Sequence, residues 1–190
     1  MPDLVSRVLD YWFLPPDHPG HGKARAMWFN GTPALDADIA RRFGAAIENA
    51  LRGRYNHLAR SPRGALALCL LLDQMTRNVF RGTGRAFAGD ARARRIARSA
   101  LAGSFDRRLP TVQRSFLYMP LHHSESLGDQ NRCVGLLWQL YGSGTLKYAV
   151  GHRDIVARFG RFPYRNAALG RIDTPAEQTY LKGAHQRFGQ

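Results

Sequence analysis

Apolar residues recur at helical spacing along most of the chain. Leu4, Val5, Val8, Leu9 and Trp12 share one face of a segment that Asp3 can cap, which predicts a helix over 4–13. Residues 15–22 carry prolines, glycines and two histidines, a composition that forces a loop, and Met27-Trp28-Phe29 is an apolar plug closing it. Thr32-Pro33 pairs a cap with a proline at the first helical position and opens a helix, from there or from Asp36, that runs to Arg52 and stops at Gly53. Ser61-Pro62 repeats the signal and starts the most apolar helix, Arg63 to about Met75, whose lack of a polar face places it at the centre. A helix over 86–102 turns Ala93, Ile96, Ala97, Ala100 and Leu101 inward and keeps Arg92, Arg94, Arg95 and Arg98 mostly outside. Residues 110–119 and 124–141 read as two helices broken at Pro120, and 145–159 as another that Gly160 and Pro163 stop. The last helix begins at Thr174-Pro175-Ala176-Glu177, a proline start combined with a capping box. No strand-like alternation and no hairpin turn joins two apolar runs. The pattern predicts an all-α fold, a compact bundle of about eight or nine helices without a sheet, as a single domain over 1–190.

Three stretches break this pattern with charged and amide side chains where packing would place leucine or alanine: 71–83, 116–125 and 152–171. Such groups are costly to bury alone and are expected to find one another. Asp73 and Gln74 close the central helix in this reading, and a carboxylate at a helix C-terminus opposes the macrodipole, so tertiary contacts must decide Asp73. Its cation is Arg77, one turn on, or an arginine of the third stretch. Two roles remain open, a buried ion pair that fixes helix ends and a carboxylate that orients a ligand-binding or catalytic group. With Ser124 as a cap, Glu125, Asp129 and Arg132 share a face while His123 stands at the helix entrance. A single His-x-x-Glu with His152 is too little for a metal site, and Ser124 lacks the glycine-flanked elbow of a nucleophile. Arg158, Arg161, Arg165 and Arg171 alternate with Phe159, Phe162 and Tyr164, and Asn166 closes the turn. Guanidinium forks beside aromatic faces suit carboxylate or phosphate, and internal pairing equally. Glycine-rich phosphate loops are absent.

Composition adds limits. The chain has 190 residues, 44% hydrophobic and 22% charged, enough to bury a core without disulfides. Cys69 and Cys133 sit among apolar residues, as reduced core thiols do. No apolar run approaches the length of a bilayer span, and the N-terminus lacks the build of a signal peptide, so a cytoplasmic protein with no membrane contact is expected. The net charge is +14, and of the basic residues only Lys23, Lys147 and Lys182 are lysine. Arginines spread along the whole chain read as solvated faces before they read as a nucleic-acid footprint.

The same three stretches resemble a known family, the bacterial proteins called domain of unknown function 924. Leu72 to Asn78 with Arg81 to Thr83 follow its Leu-Asp-Gln-Phe-Pro-Arg-Asn and Arg-Gly-Thr pattern, except that Met75 and Thr76 replace phenylalanine and proline. Tyr118 to Glu125 follow its Tyr-Met-Pro-Leu-x-His-Ser-Glu run, which makes His123 the motif histidine, and His152 with 158–177 follow the third. The resemblance implies a helical fold similar to tetratricopeptide-like domains and no particular activity.

These readings lead to a polar pocket for a small anionic metabolite, bound or acted upon. Asp73, Gln74, Arg77, Asn78, His123, Glu125, Gln130, His152, Arg161, Arg165 and Asn166 would line or support it, and His123 or His152 with Glu125 would move any proton. No cofactor and no metal is expected. The first alternative is a module that docks a peptide or protein, with a purely structural polar core. The second is nucleic-acid binding through the arginine-rich faces, chiefly the helix bearing Arg92 to Arg98.

Overall fold

The computed structural model describes residues 3–183. Every regular element among them is helical. Helix α1 (Leu4–Phe13) starts where Asp3 accepts the Ser6 amide at 2.8 Å, and it buries Val8, Leu9, Trp12 and Phe13. Helix α2 (Pro33–Leu51) is capped by the Thr32 hydroxyl and α3 (Pro62–Cys69) by that of Ser61, each with proline at its first position. All of Leu66, Leu68, Leu70, Leu71 and Leu72 are at most 1% exposed, so the apolar helix is central. Each such leucine contributes about 1.5–3 kcal/mol by burial. Around it pack α5 (Asp90–Ala102), α6 (Thr111–His122), α1 and the region after α2, in one continuous core that also takes Cys133 and Leu137 from α7 (Leu127–Tyr141). Helix α8 (Leu146–Phe159) lies against α7. A small second cluster of Ile155, Val156 and Phe162 is joined by Tyr180 of α9 (Pro175–Lys182), which the expected capping box of Thr174 and Glu177 opens.

Three local expectations are corrected. The central helix does not end at Met75. It widens into a π turn over Leu70–Met75 and continues as α4 (Thr76–Val79), so Asp73 lies inside a helical run and the macrodipole argument does not apply to it. A π turn displaces carbonyls from the α-helical ladder. Here the Leu72 carbonyl accepts the Thr76 hydroxyl at 2.8 Å and the Asp73 carbonyl accepts the Arg77 guanidinium. Pro120 does not break α6 either. It sits inside the helix, and burial of Leu117, Tyr118 and Leu121 on both sides offsets the roughly 3 kcal/mol that an interior proline costs. Finally, Ser124 is not the cap of α7. Ser126 occupies that position, while Ser124 donates to Asp129 at 2.7 Å and accepts the Ser126 amide at 3.1 Å.

No helix among the described residues is long and apolar enough to cross a membrane.

Candidate functional site

Asp73 is 1% exposed, on the π turn. The C-cap of α6 brings His123 to it, with Nδ1 2.9 Å from both carboxylate oxygens. Arg77, one turn further along the same run, places Nη1 3.0 Å from Oδ1, and the Gln74 amide donates to Oδ2 at 2.5 Å. Burial opposes ionisation of Asp73, but Arg77 and His123 outweigh it and hold the carboxyl well below the usual range. The carboxylate is therefore an acceptor only, and His123 must carry its proton on Nδ1. Burial lowers the pKa of His123 more than Asp73 raises it, and Arg77 adds to the lowering. A ring that is neutral at pH 7 and protonated on Nδ1 leaves its lone pair on Nε2. The His123 side chain is 18% exposed, so it is not sealed from solvent.

Arg165 closes the cluster from the turn that follows α8. It is 4% exposed, and its Nη1 donates to the His123 carbonyl at 3.0 Å. The same nitrogen lies 3.5 Å from Asp90, whose Oδ2 accepts Arg77 at 2.9 Å. Its guanidinium stands over the rings of Phe162 and Phe87 at 4.4 and 4.8 Å, which shields it from water. Asp90 Oδ1 and the Nε atoms of Arg77 and Arg165 are buried with no hydrogen-bond partner among the described residues. Such groups cost about 1–3 kcal/mol each unless water or a ligand satisfies them.

Two more imidazoles adjoin the cluster. His122 and His152 pack with ring centroids 4.0 Å apart, and His152 lies 6.4 Å from His123. His152 donates Nδ1–H to the Tyr148 carbonyl at 2.9 Å. Burial, followed by the neighbouring His123, pushes its pKa down to about 3. His122 is lowered well below the ordinary histidine range by burial and by His152.

The remaining candidate residues separate into supports and outliers. Glu125 takes the Phe162 amide and both Arg171 terminal nitrogens at 2.9 Å each, so the carboxylate that faces His123 is Asp73 and not Glu125. Gln130 donates to the carbonyls of His122 and Ser124 at 2.7 Å, which fixes the turn that presents His123. Asn78 is turned away to Asp36 at 2.7 Å. Arg161 forks onto Glu177 at 2.6 and 2.7 Å, and Asn166 donates to Asp173 at 2.6 Å; both tie the 161–177 segment to itself. The structure thus joins Asp73, Gln74, Arg77, His123 and Arg165, with His152 beside them. Asp90, Phe87 and His122 belong to the same cluster and escaped sequence reasoning. An acidic residue opening a helix reads as a complement to its dipole, which hides the role of Asp90.

No group of three His, Cys, Asp or Glu side chains among the described residues is placed to hold a metal ion. A surface hollow of about 440 Å³ is lined by Arg7, Asp10, Tyr11, Arg41, Arg42 and Phe43, with none of the candidate residues in its wall.

Comparison with known proteins fits this architecture. The profile of a family described as bacterial protein of unknown function (DUF924) matches residues 8–185. The solved structure of a protein of unknown function from Agrobacterium tumefaciens is similar with a TM-score of 0.82 and 38% identity, covering 94% of this chain and 97% of that one. No curated protein matches this chain.

Proposed function

The chain belongs to the family of bacterial proteins of unknown function (DUF924), and from that premise we propose that the cluster around Asp73 and His123 binds a small anionic compound and exchanges a proton with it through His123. The observation that carries this reading is the contact of Nδ1 of His123 with the buried Asp73 carboxylate. A histidine oriented in this way offers a basic Nε2, the arrangement that general acid–base chemistry requires. Arg77 and Arg165 supply positive charge beside it, each with a buried Nε–H that has no partner among the described residues. A carboxylate or phosphate is the ligand group that guanidinium forks suit best.

The test is a thermal-shift comparison with inorganic phosphate, citrate and a sugar phosphate for wild type, His123→Gln and Arg165→Gln. A ligand at one hundred times its Kd stabilises the folded state by about 2.7 kcal/mol. Stabilisation of wild type that both variants lose supports the site, and equal shifts in all three proteins reject it.

A second reading, docking of a partner protein, is favoured by Trp138 and Tyr148. They are 59% and 61% exposed on α7 and α8, with Tyr141 between them in sequence. It predicts that Trp138→Ser leaves stability unchanged but removes cross-linking to that partner.

A further inference from the structure

From Asn49 to Leu72 the chain holds no aspartate or glutamate, yet Arg52, Arg54, Arg60 and Arg63 fall within that span. Arg52 is matched by Glu48 at 3.7 Å. Arg54, Arg60 and Arg63 are exposed and have no carboxylate within ion-pair distance among the described residues. On α5, Arg94 and Arg98 turn to Asp129, while Arg92 and Arg95 on the other flank have no carboxylate partner among the described residues. The run from α3 into the π turn lies antiparallel to α5, with Leu72 against Gly89, the N-cap of α5, and Cys69 against Ala93. Two contacts join the acid-free segment to the Arg92–Arg95 flank of α5. Arg92 donates to Asn56 at 3.0 Å, and its Nη1 would lie 2.8 Å from a Cβ added at Gly53. Arg95, three residues on, shares that side of the helix. Tyr55 and His57 lie between Arg54 and Arg60, their rings edge to face at 6.5 Å.

We propose that this face, built from 54–63 and the Arg92–Arg95 flank of α5, binds single-stranded nucleic acid. The arginines take backbone phosphates by forked, charge-assisted hydrogen bonds, and the exposed His57 ring, held beside the half-buried Tyr55, offers stacking surface to an unpaired base. The face differs from a membrane-binding one because the exposed large apolar residues, Phe29, Leu127, Trp138, Tyr141, Tyr148 and Ile172, all lie outside it. An acidic peptide would use the charges and leave the rings idle. The site is independent of the Asp73–His123 cluster, so either can fail without the other.

The experiment is fluorescence anisotropy of a labelled oligothymidylate and an oligouridylate with the full chain. With five phosphate contacts and a slope near −0.7 per contact, affinity is expected to fall about 100-fold between roughly 50 and 200 mM salt. The triple variant Arg60→Ala, Arg63→Ala, Arg92→Ala binds more weakly and falls only about 7-fold over the same range. His57→Ala weakens binding at least about 5-fold at constant salt slope. A control triple, Arg132→Ala, Lys147→Ala, Arg158→Ala, removes equal charge elsewhere and leaves binding within about 2-fold. Circular dichroism melts verify that each variant is folded. Absence of binding at the lower salt, equal weakening by the control, or equal affinity for polyglutamate or phosphatidylserine vesicles overturns the proposal.

Discussion

Nδ1 of His123 lies 2.9 Å from both oxygens of the Asp73 carboxylate, linking the end of α6 to the π turn of the central helical run. Breaking a buried pair by removing one charge costs about 3–5 kcal/mol, because the partner is left uncompensated. Asp73→Asn keeps the shape and removes the charge, so a loss of about 3 kcal/mol or more is expected. It should appear as a lower urea midpoint at unchanged slope.

Stability should fall in mild acid. The folded-state pKa of His152 is about 3, whereas an unfolded histidine titrates near 6.5. Between those values the unfolded chain binds a proton that the folded chain refuses. The stability is therefore fully present above about pH 6.5 and is lost as pH falls towards 3, by about 2 kcal/mol at pH 5 from this residue alone. His122 is shifted in the same direction and adds to the loss. Asp73, whose carboxyl is lowered, contributes acid sensitivity only below about pH 4. Melting temperatures between pH 8 and 5 check this, and His152→Gln should flatten the profile.

At Gly89 the start of α5 closely approaches the central helical run. A Cβ there would stand 2.1 Å from the Leu72 carbonyl oxygen, a backbone atom of the π turn. Gly89→Ala must push α5 off the central run and is expected to cost about 2 kcal/mol or more. Gly128→Ala, where the nearest atom is a serine hydroxyl at 3.8 Å, should be neutral by the same denaturation measurement.

Glu125 anchors the segment after α8 through the Phe162 amide and Arg171. Glu125→Ala should speed hydrogen exchange at Phe162 by at least about 10-fold, since a charge-assisted hydrogen bond contributes about 1.5–3 kcal/mol. Exchange in α3 should not change.

Both thiols should be inert in the native protein. Burial raises Cys69 well above its ordinary value and pushes Cys133 up to about 12. A thiol reagent at pH 8 should modify neither until urea unfolds the chain.

Much of the fold was legible because its signals are local. Asp3, Thr32, Ser61 and Thr174 each cap the helix their sequence context announces, and proline at the first position marks three of those starts. The stretches that interrupt helical patterning were legible as well, since a buried carboxylate at Asp73 demands partners wherever they come from. Partner choice was not legible. Glu125 stands two residues from His123 yet serves Arg171, and the carboxylate that orients His123 comes from 50 residues away.

The sequence by itself determined where helices begin, which one is central and which three stretches carry polar chemistry, because capping, periodicity and burial cost act within a few residues. Only the tertiary structure decided that the central helix passes through a π turn, that Pro120 stays helical, and that Asp73, Arg77, Asp90, His123 and Arg165 share one buried cluster. Those outcomes depend on packing between elements far apart in the chain, where the burial of neighbouring side chains outweighs local backbone preference.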